Sequence, residues 1–195
     1  MLSYEESLKI LKETDALLEG HFILSSGLHS NKYIQCAKLL SHPAKSEKIC
    51  NSLCEKIKNN FKKIDIILSP AIGGIVVGYE VARQLNTRAI FSERVDGKMF
   101  LRRGFNIPEN SNVLIVEDVI TTGKSVLECS KIVKSSKSQL LGYACLINRF
   151  SKDLLNEEKI VSQIKFKIDT FKNNELPESL KNITPTEPGS RNLNK

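Results

Sequence analysis

The stretch 113–125 constrains the fold most, because it combines a predicted strand, two adjacent acids, a small-residue turn and the start of a predicted helix. Residues 113–116 are Val-Leu-Ile-Val, an apolar run rich in β-branched residues that predicts a buried strand. Glu117 and Asp118 follow at once, and residues 121–125 are Thr-Thr-Gly-Lys-Ser. Backbone N–H groups at a helix N-terminus, together with hydroxyl groups, bind a phosphate monoester. Two carboxylates in front of such a loop can accept hydrogen bonds from a sugar diol, so the stretch predicts a ribose 5-phosphate site.

Two other interpretations of this stretch stay open at this point. The first is an ordinary connection from strand to helix whose acids face solvent. The second is a P-loop, and Gly123, Lys124 and Ser125 do match the last three positions of its Gly-x-x-x-x-Gly-Lys-[Ser/Thr] pattern. The P-loop fits poorly, because Asp118 occupies the position of its first glycine.

Short apolar strands alternate with amphipathic helices through the middle of the chain. This alternation predicts an α/β fold with a central parallel sheet flanked by helices. The carboxyl ends of parallel strands meet at one edge of the sheet, where open α/β sheets bind ligands. The predicted strands are 64–68, 88–92, 113–116 and 140–147, and the predicted helices are one that begins after Pro43, one at 74–85 and one at 124–136.

The two ends of the chain and one internal segment depart from this alternation. Residues 3–18 predict an amphipathic helix, opened by the capping box of Ser3 and Glu6 and ended by Gly20. Residues 21–35 predict a small hairpin. The other two segments are 93–111, which is charged and predicts a functional loop or β-ribbon arm, and the tail from residue 173, which we expect to be irregular.

Composition narrows the class of protein. The 195 residues suit one well-cored domain, and no apolar run approaches the roughly 20 residues that span a bilayer. The first residues form neither a signal nor a transit peptide, so we expect a soluble, cytoplasmic protein without a membrane partner.

The net charge of +7 suits nucleic acid or a small polyanion, but the chain has no nucleic-acid-binding motif, so we expect no nucleic-acid partner. Five cysteines lack metal-ligand spacing, and we interpret them as reduced packing residues: Cys36, Cys50, Cys54, Cys129 and Cys145.

The motif at 113–125 resembles the signature of the type I phosphoribosyltransferases, which is an apolar run, two acids and a small loop of Thr, Gly and Ser. A second element, 69–74, resembles the pyrophosphate loop of that family, where a non-proline cis peptide is common; the corresponding bond here is Ala71–Ile72. The resemblance implies that these segments bind the donor, phosphoribosyl pyrophosphate. The implied donor-binding residues are Glu117, Asp118, Val119, Ile120, Thr121, Thr122, Gly123, Lys124, Ser125, Ala71, Ile72, Gly73 and Arg94.

Other segments indicate the acceptor base. Residues 20–38, called the hood below, resemble the N-terminal hood of orotate phosphoribosyltransferases, and 93–105 resemble one bacterial subgroup of that family. The likeness extends to residues 188–191. It implies that an arginine pairs with the carboxylate of orotate, a role that suits the planar guanidinium group. The implied orotate contacts are Thr121, Arg149 on the carboxylate, and Tyr33 and Ile34 as an apolar wall beside the ring.

The resemblance implies an Mg²⁺-dependent enzyme that transfers ribose 5-phosphate from phosphoribosyl pyrophosphate to orotate. The products would be orotidine 5'-monophosphate and pyrophosphate, in de novo pyrimidine biosynthesis. The Mg²⁺ would be carried by the substrate, so no protein metal ligands are expected. A purine phosphoribosyltransferase and a non-catalytic nucleic-acid-binding regulator on the same fold remain as alternatives. The implied catalytic residues are Glu117, Asp118, Arg94 and Lys98.

The resemblance also implies how the chain is organised. We expect a single phosphoribosyltransferase domain, with an N-terminal helix and hood at 1–40, an α/β core at 41–150 and a C-terminal extension at 151–195. The mobile loop 93–104, called the arm below, is expected to close over the active site of the neighbouring subunit in a homodimer.

Three departures from the family pattern concern charge and metal binding. Ser25 and Gly73 stand where many family members have lysine, so two expected phosphate cations are missing, and Arg94, Lys98, Arg102 and Arg103 are the candidates to substitute for them. A histidine of the family's loop has no counterpart that can be aligned in this shorter loop. The tail has Leu176 and Ser179 where related tails carry a Cys-x-x-Cys pair, so we expect no metal there.

Overall fold

The chain forms a seven-stranded sheet with helices on both faces and a separate three-stranded sheet in the hood region. The structure, a computed structural model, describes residues 1–24, 26–150 and 152–188. No helix within these ranges is both long and apolar enough to cross a membrane. In chain order the elements are α1 (Tyr4–Glu13), β1 (Leu17–Ile23), β2 (His29–Ile34), α2 (Cys36–Leu40), α3 (Pro43–Asn60), β3 (Ile66–Pro70), α4 (Gly73–Leu85), β4 (Arg88–Val95), β5 (Lys98–Leu101), β6 (Asn112–Ile120), α5 (Lys124–Ser135), β7 (Gln139–Asn148), β8 (Leu154–Leu155), β9 (Glu158–Lys165), β10 (Thr170–Phe171), a 3-10 turn (Asn173–Glu175) and α6 (Glu178–Lys181).

The main sheet has the strand order β5-β4-β3-β6-β7-β9-β8. Its five inner strands are parallel to their neighbours, whereas β5 and β8 pair antiparallel at the two edges. Every residue of β3 is buried, and so is the run 113–116 of β6, because helices cover both faces. The prediction of a central parallel sheet flanked by helices is confirmed.

The two faces of the sheet lie in separate hydrophobic cores. In β6, Leu114 packs in the core that contains α1, α3 and α4, whereas Ile115 packs in the core that contains α5. Side chains alternate along a strand, so Glu117 leaves the sheet on the α5 face and Asp118 leaves it on the α4 face. All five cysteines are buried, in agreement with a packing role.

The first helix is shorter than the sequence predicted. The capping box is present at its N-terminus, but the helix ends at Glu13, and the predicted end at Gly20 is wrong. Asp15 has a φ of 52°, which takes the backbone out of the helical path. Leu17 then begins β1, where its side chain is buried. The apolar residues of this segment fit both periodicities, and the pairing of β1 with β2 decides between them.

The predicted hairpin is confirmed as β1 and β2, which pair antiparallel, and β10 adds a third strand. Two buried histidines join this sheet to the tail: His21 Nε2 lies 2.6 Å from His29 Nδ1, and His21 Nδ1 lies 2.8 Å from the carbonyl oxygen of Ile183. The N–H of Thr186 also donates to the carbonyl oxygen of His21 at 2.9 Å. The expectation of an irregular tail is therefore wrong in part, because α6, anchored by the buried Leu180, and this contact with the hood give it a defined path.

The charged segment 93–111 begins as a β-ribbon. β4 continues to Val95 and pairs antiparallel with β5. The ribbon turns at Asp96 and Gly97, which have φ values of 47° and 79°, and short hairpin loops commonly need positive φ at such positions. The prediction of a β-ribbon arm is confirmed for this part of the segment.

Candidate active site

Three neighbouring parallel strands end at one edge of the main sheet, and each precedes a segment predicted to bind substrate. The strands β3, β6 and β7 lie side by side in that order. Their carboxyl ends therefore bring the predicted segments together, at the edge where open α/β sheets bind ligands. β3 ends within the pyrophosphate loop, whose residues 71–74 follow it. β6 precedes residues 121–125, called the phosphate loop below, and β7 precedes Arg149.

The acid pair lies on β6 just before the phosphate loop. The pKa of Glu117 is raised to about 8, mainly by burial and to a smaller extent by the charge of Asp118. Burial also raises the pKa of Asp118, while the N–H of Val119, which donates to Asp118 Oδ1 at 2.8 Å, opposes that rise. Both side chains stay partly exposed, so a ligand can reach them. Ionising the pair is unfavourable in the free protein, and a bound cation or a hydroxyl donor would stabilise the charged form.

The phosphate loop enters α5 through Gly123, which has a φ of 75°. A Cβ atom at Gly123 would lie 2.6 Å from a methyl carbon of Leu155, so the position needs glycine for space as well as for conformation. The first N–H groups of a helix have no partners within the helix, and Gly123 has no side chain to cap them. Together with the exposed hydroxyls of Thr121 and Thr122, these N–H groups can bind a phosphate.

The pyrophosphate loop lies directly against the acid pair. The Ala71–Ile72 peptide bond is cis, as the family resemblance implied. The N–H of Ala71 donates to the carbonyl oxygen of Ser92 at 2.8 Å, which attaches the loop to β4. α4 begins at Gly73, and a Cβ atom built there would lie 3.0 Å from both carboxylate oxygens of Asp118. Asp118 therefore faces the N-terminus of α4.

Arg149 lies between β6 and the hood. Its N–H donates to the carbonyl oxygen of Ile120 at 2.8 Å, which places it beside Thr121. The side chain is partly buried, and its Nε, which is fully buried, has no hydrogen-bond partner among the described residues. Burial lowers the pKa of Arg149, and the nearby Tyr33 acts in the opposite direction. A partly desolvated guanidinium group that has no anionic partner among the described residues is suited to bind a carboxylate.

Tyr33 and Ile34 have different environments. The ring of Tyr33 packs beside that of Phe22, with the ring centroids 5.9 Å apart. Ile34 packs against the core cluster that includes α1 and α3. Successive strand residues point to opposite faces, so the structure brings Tyr33, but not Ile34, toward Arg149. A contact between Ile34 and an acceptor ring stays a prediction.

Arg94 is bound by other residues of the same chain. Its guanidinium group donates to a carboxylate oxygen of Glu128 on α5 and to the carbonyl oxygen of Gly97 at 2.5 Å. Glu128 was not among the predicted site residues. In the sequence it is marked only by its position on α5, four residues after Lys124. The structure therefore holds Arg94 against α5, and within the described residues no hydrogen bond joins it to Glu117 or Asp118.

The remaining cations of the arm divide into paired and unpaired. Arg103 Nε lies 2.9 Å from Glu93 Oε2, so this arginine is neutralised within the arm. Lys98 and Arg102 are exposed and form no ion pair with the described part of the chain. The structure does not bring Lys98 to the acid pair. Two of the segments singled out in the sequence, Ser25 and 189–191, lie outside the described residues.

Comparison with known proteins identifies the family. Residues 37–181 match the family model described as phosphoribosyl transferase domain. Over 192 residues the chain is 45% identical to an orotate phosphoribosyltransferase from Caldicellulosiruptor saccharolyticus, and the match covers 98% of this chain and 100% of that protein. The chain belongs to the orotate phosphoribosyltransferase family. The family resemblance inferred from the sequence motifs is confirmed.

This member of the orotate phosphoribosyltransferase family shares its fold with solved structures of both orotate and adenine phosphoribosyltransferases. Orotate phosphoribosyltransferase from Aeropyrum pernix superposes with a TM-score of 0.68 at 24% identity, covering 80% of this chain and 92% of that one. Adenine phosphoribosyltransferase from Thermoanaerobacter pseudethanolicus gives a TM-score of 0.61 at 18% identity, covering 69% of this chain and 88% of that one. Because structures named for different bases share the fold, the fold alone does not select the acceptor.

Proposed function

We propose that this chain is an orotate phosphoribosyltransferase, which joins the ribose 5-phosphate of phosphoribosyl pyrophosphate to a ring nitrogen of orotate. The products are orotidine 5'-monophosphate and pyrophosphate, in de novo pyrimidine biosynthesis. The observation that carries the choice of acceptor is Arg149, whose partly buried guanidinium group lies beside Thr121 with its Nε unpaired among the described residues. The identity of 45% over nearly the whole chain to a protein of that name supports the same choice.

The donor is proposed to lie along the strand ends. Its 5'-phosphate would bind the phosphate loop, where backbone N–H groups and hydroxyls converge, and Val119 and Ile120 would contribute backbone just before it. The ribose hydroxyls would donate to Glu117 and Asp118. The pyrophosphate would meet the N–H groups of Ile72 and Gly73 at the start of α4, whereas the N–H of Ala71, which the family resemblance also implied, is already bound to the carbonyl oxygen of Ser92.

Displacement at the anomeric carbon places opposite charges on the two halves of the donor. The C–O bond to pyrophosphate breaks with its electron pair on oxygen, and the ribose passes through an oxocarbenium-like state. The new C–N bond forms to the ring nitrogen of orotate, whose N–H proton is released to the departing pyrophosphate or to water. Glu117 and Asp118, once ionised, would stabilise the positive ribose. The N–H groups of α4 would stabilise the negative leaving group. Because Asp118 lies against the start of α4, these two kinds of stabilisation act next to each other.

Mg²⁺ is proposed to arrive with the donor. This ion prefers oxygen ligands and keeps several waters, so it does not require a dedicated set of protein ligands. In the described residues no group of three or more His, Cys, Asp or Glu side chains could hold a metal. Glu117 and Asp118 supply carboxylate oxygens at the ribose end of the donor, where they would contact the ion through its waters. When bound, Mg²⁺ would offset the charge of the pyrophosphate.

A homodimer is proposed, with the start of α4 facing the partner. Ile72, Val76 and Tyr79 follow helical spacing and are 86%, 50% and 64% exposed, which leaves an apolar stripe uncovered. The stripe begins in the pyrophosphate loop, so a partner that covers it would lie next to the donor site. The cations of the arm that form no ion pair with the described residues, Lys98 and Arg102, could then act in the partner's site.

Each subunit is proposed to act as one domain, with residues 1–40 and 151–195 attached to the core at 41–150.

An acceptor panel tests the proposal. The purified chain is incubated with phosphoribosyl pyrophosphate, Mg²⁺ and one of orotate, uracil or adenine, and loss of the base is followed by absorbance and chromatography. We expect turnover with orotate and little with the other two bases. Turnover of adenine in place of orotate would reassign the chain to the purine enzymes. Donor binding without turnover of any base would favour a non-catalytic regulator.

A further inference from the structure

The side chain of Asn148 is buried against the turn that follows β7. It is 1% exposed, its Oδ1 accepts from the N–H of Phe150 at 2.8 Å, and its Nδ2 donates to the carbonyl oxygen of Lys152 at 3.3 Å. An asparagine oxygen that accepts from the N–H two residues later forms an Asx-turn. One side chain therefore binds the turn at two points.

This turn contains Arg149, whose backbone is held on both sides. The N–H of Arg149 donates to the carbonyl oxygen of Ile120 at 2.8 Å, and the N–H of the next residue, Phe150, is bound by Asn148. The carbonyl oxygen of Asn148 also accepts from the N–H of Phe166 at 2.9 Å. These hydrogen bonds restrict the backbone dihedral angles at Arg149, and with them the direction in which its side chain leaves the sheet.

We propose that Asn148 is a positioning residue that sets the acceptor selectivity of the site by orienting Arg149. The proposal rests on the proposed function, in which Arg149 binds the carboxylate of orotate. Within the described residues no ion pair holds the guanidinium group of Arg149, so its position depends on the backbone from which it extends. A bidentate pair with a carboxylate requires the planar group to be aimed correctly before the ligand arrives.

The chemistry of the turn favours asparagine over its close relatives. The turn needs an acceptor for the N–H of Phe150 and a donor for the carbonyl oxygen of Lys152, and a primary amide supplies both. Aspartate would keep the acceptor but would face the Lys152 carbonyl with a second acceptor, and it would offer Arg149 a competing anion. Alanine would leave both backbone groups unpaired. Serine would keep a shorter acceptor for Phe150 alone.

A double-mutant cycle with Asn148→Ala and Arg149→Ala tests the proposal. KM for orotate, KM for phosphoribosyl pyrophosphate and kcat are measured for the wild type, both single variants and the double variant. We expect Asn148→Ala to raise the orotate KM on the order of 10-fold and to change the donor KM less than about 2-fold. In the Arg149→Ala background the same change should add less than about 2-fold, because the two residues act as one unit.

A matched control separates this effect from general loss of sheet stability. Asn112 begins the neighbouring strand β6 at the opposite edge, where its Nδ2 donates to Asp65 Oδ2 at 2.9 Å. Asn112→Ala therefore removes one side-chain hydrogen bond of an asparagine at the opposite end of the strands. We expect it to lower the melting temperature but to leave the orotate KM unchanged. If Asn148→Ala does not fold, Asn148→Ser replaces it, with an orotate KM expected between those of the wild type and Arg149→Ala.

Three results would overturn the proposal. An effect of Asn148→Ala that persists in full in the Arg149→Ala background would mean that the two residues act separately. An equal rise in the orotate and donor KM would mean that Asn148 supports the whole sheet edge. An unchanged orotate KM in Arg149→Ala itself would reject the acceptor assignment of the proposed function, and this inference with it, so the two failures are distinguishable.

Discussion

A Cβ atom at Gly73 would lie 3.0 Å from both carboxylate oxygens of Asp118, so the first residue of α4 and the acid of β6 nearly fill the space between them. The lysine that the family pattern places at this position is absent here. Because Gly73 has no side chain, the carboxylate of Asp118 lies against the backbone at the N-terminus of α4. The helix dipole favours negative charge at this end of a helix.

We expect Gly73→Ala to lower kcat/KM roughly ten-fold, because the added methyl group must displace the Asp118 carboxylate, and small displacements of a catalytic group are costly. Stability should be unchanged or slightly higher, since alanine is accepted in the first turn of a helix and restricts the unfolded chain. Steady-state kinetics and thermal melts measure the two effects. In an Asp118→Asn background the substitution should add little, and a loss as large as in the wild type would show that it acts elsewhere.

Glu117→Gln should flatten the dependence of stability on pH. Folding raises the pKa of this carboxyl from 4.5 to about 8. Between these two values the unfolded chain has released the proton while the native state still holds it, so the free energy of unfolding falls as pH rises through this window. Thermal melts of the ligand-free proteins at a series of pH values compare the variant with the wild type. The melting temperature of the variant should fall less, and parallel curves would mean that the pKa of Glu117 is close to its ordinary value.

Sequence patterns predicted those helices and strands whose hydrophobic periodicity fits only one of the two structures. The runs that became β3 and β6 are short, apolar and buried on both faces, as a parallel sheet requires. β9 was not predicted, although it pairs with β7, because Ser162 and Gln163 interrupt its apolar residues and neither periodicity extends far enough. The overlong prediction for α1 has the opposite cause, since Leu17 fits a helix and a strand equally well.

A local motif is enough to predict a site where substrate is proposed to bind through the backbone of the motif itself, as in the phosphate loop. The site could not be predicted where long-range contacts decide the position of a side chain. Arg94 pairs with Glu128, which lies 34 residues away in sequence, and His21 contacts Ile183, which lies 162 residues away. Neither pairing leaves a local signal. Likewise, the sequence does not show which cations of the arm are free to bind a ligand, because this depends on which carboxylates lie near them in the fold.

Arg149→Ala should lower kcat/KM for orotate by roughly 30-fold to several thousand-fold, because removing one partner of a desolvated charge pair generally costs about 2–5 kcal/mol. Donor affinity should change far less. Arg149→Lys keeps the charge but not the planar group, so it should recover part of the loss. Initial rates at varied orotate and varied donor separate the two substrates. If donor affinity falls as far as orotate affinity, Arg149 does not recognise the carboxylate.

Mixing two inactive variants, Arg94→Ala and Asp118→Asn, should restore activity if the arm of one subunit acts in the site of the other. In the structure Arg94 pairs with Glu128 on α5, so it would have to leave this carboxylate to act in the site of either subunit, and the mixing experiment decides between the two. Random exchange of subunits makes half of the dimers hybrid, and each hybrid contains one wholly native site of two, so about one quarter of wild-type activity should return. The mixture is assayed after exchange, with the hybrid confirmed by affinity tags of two kinds. A mixture that stays inactive although hybrids have formed would place the arm over the site of its own subunit.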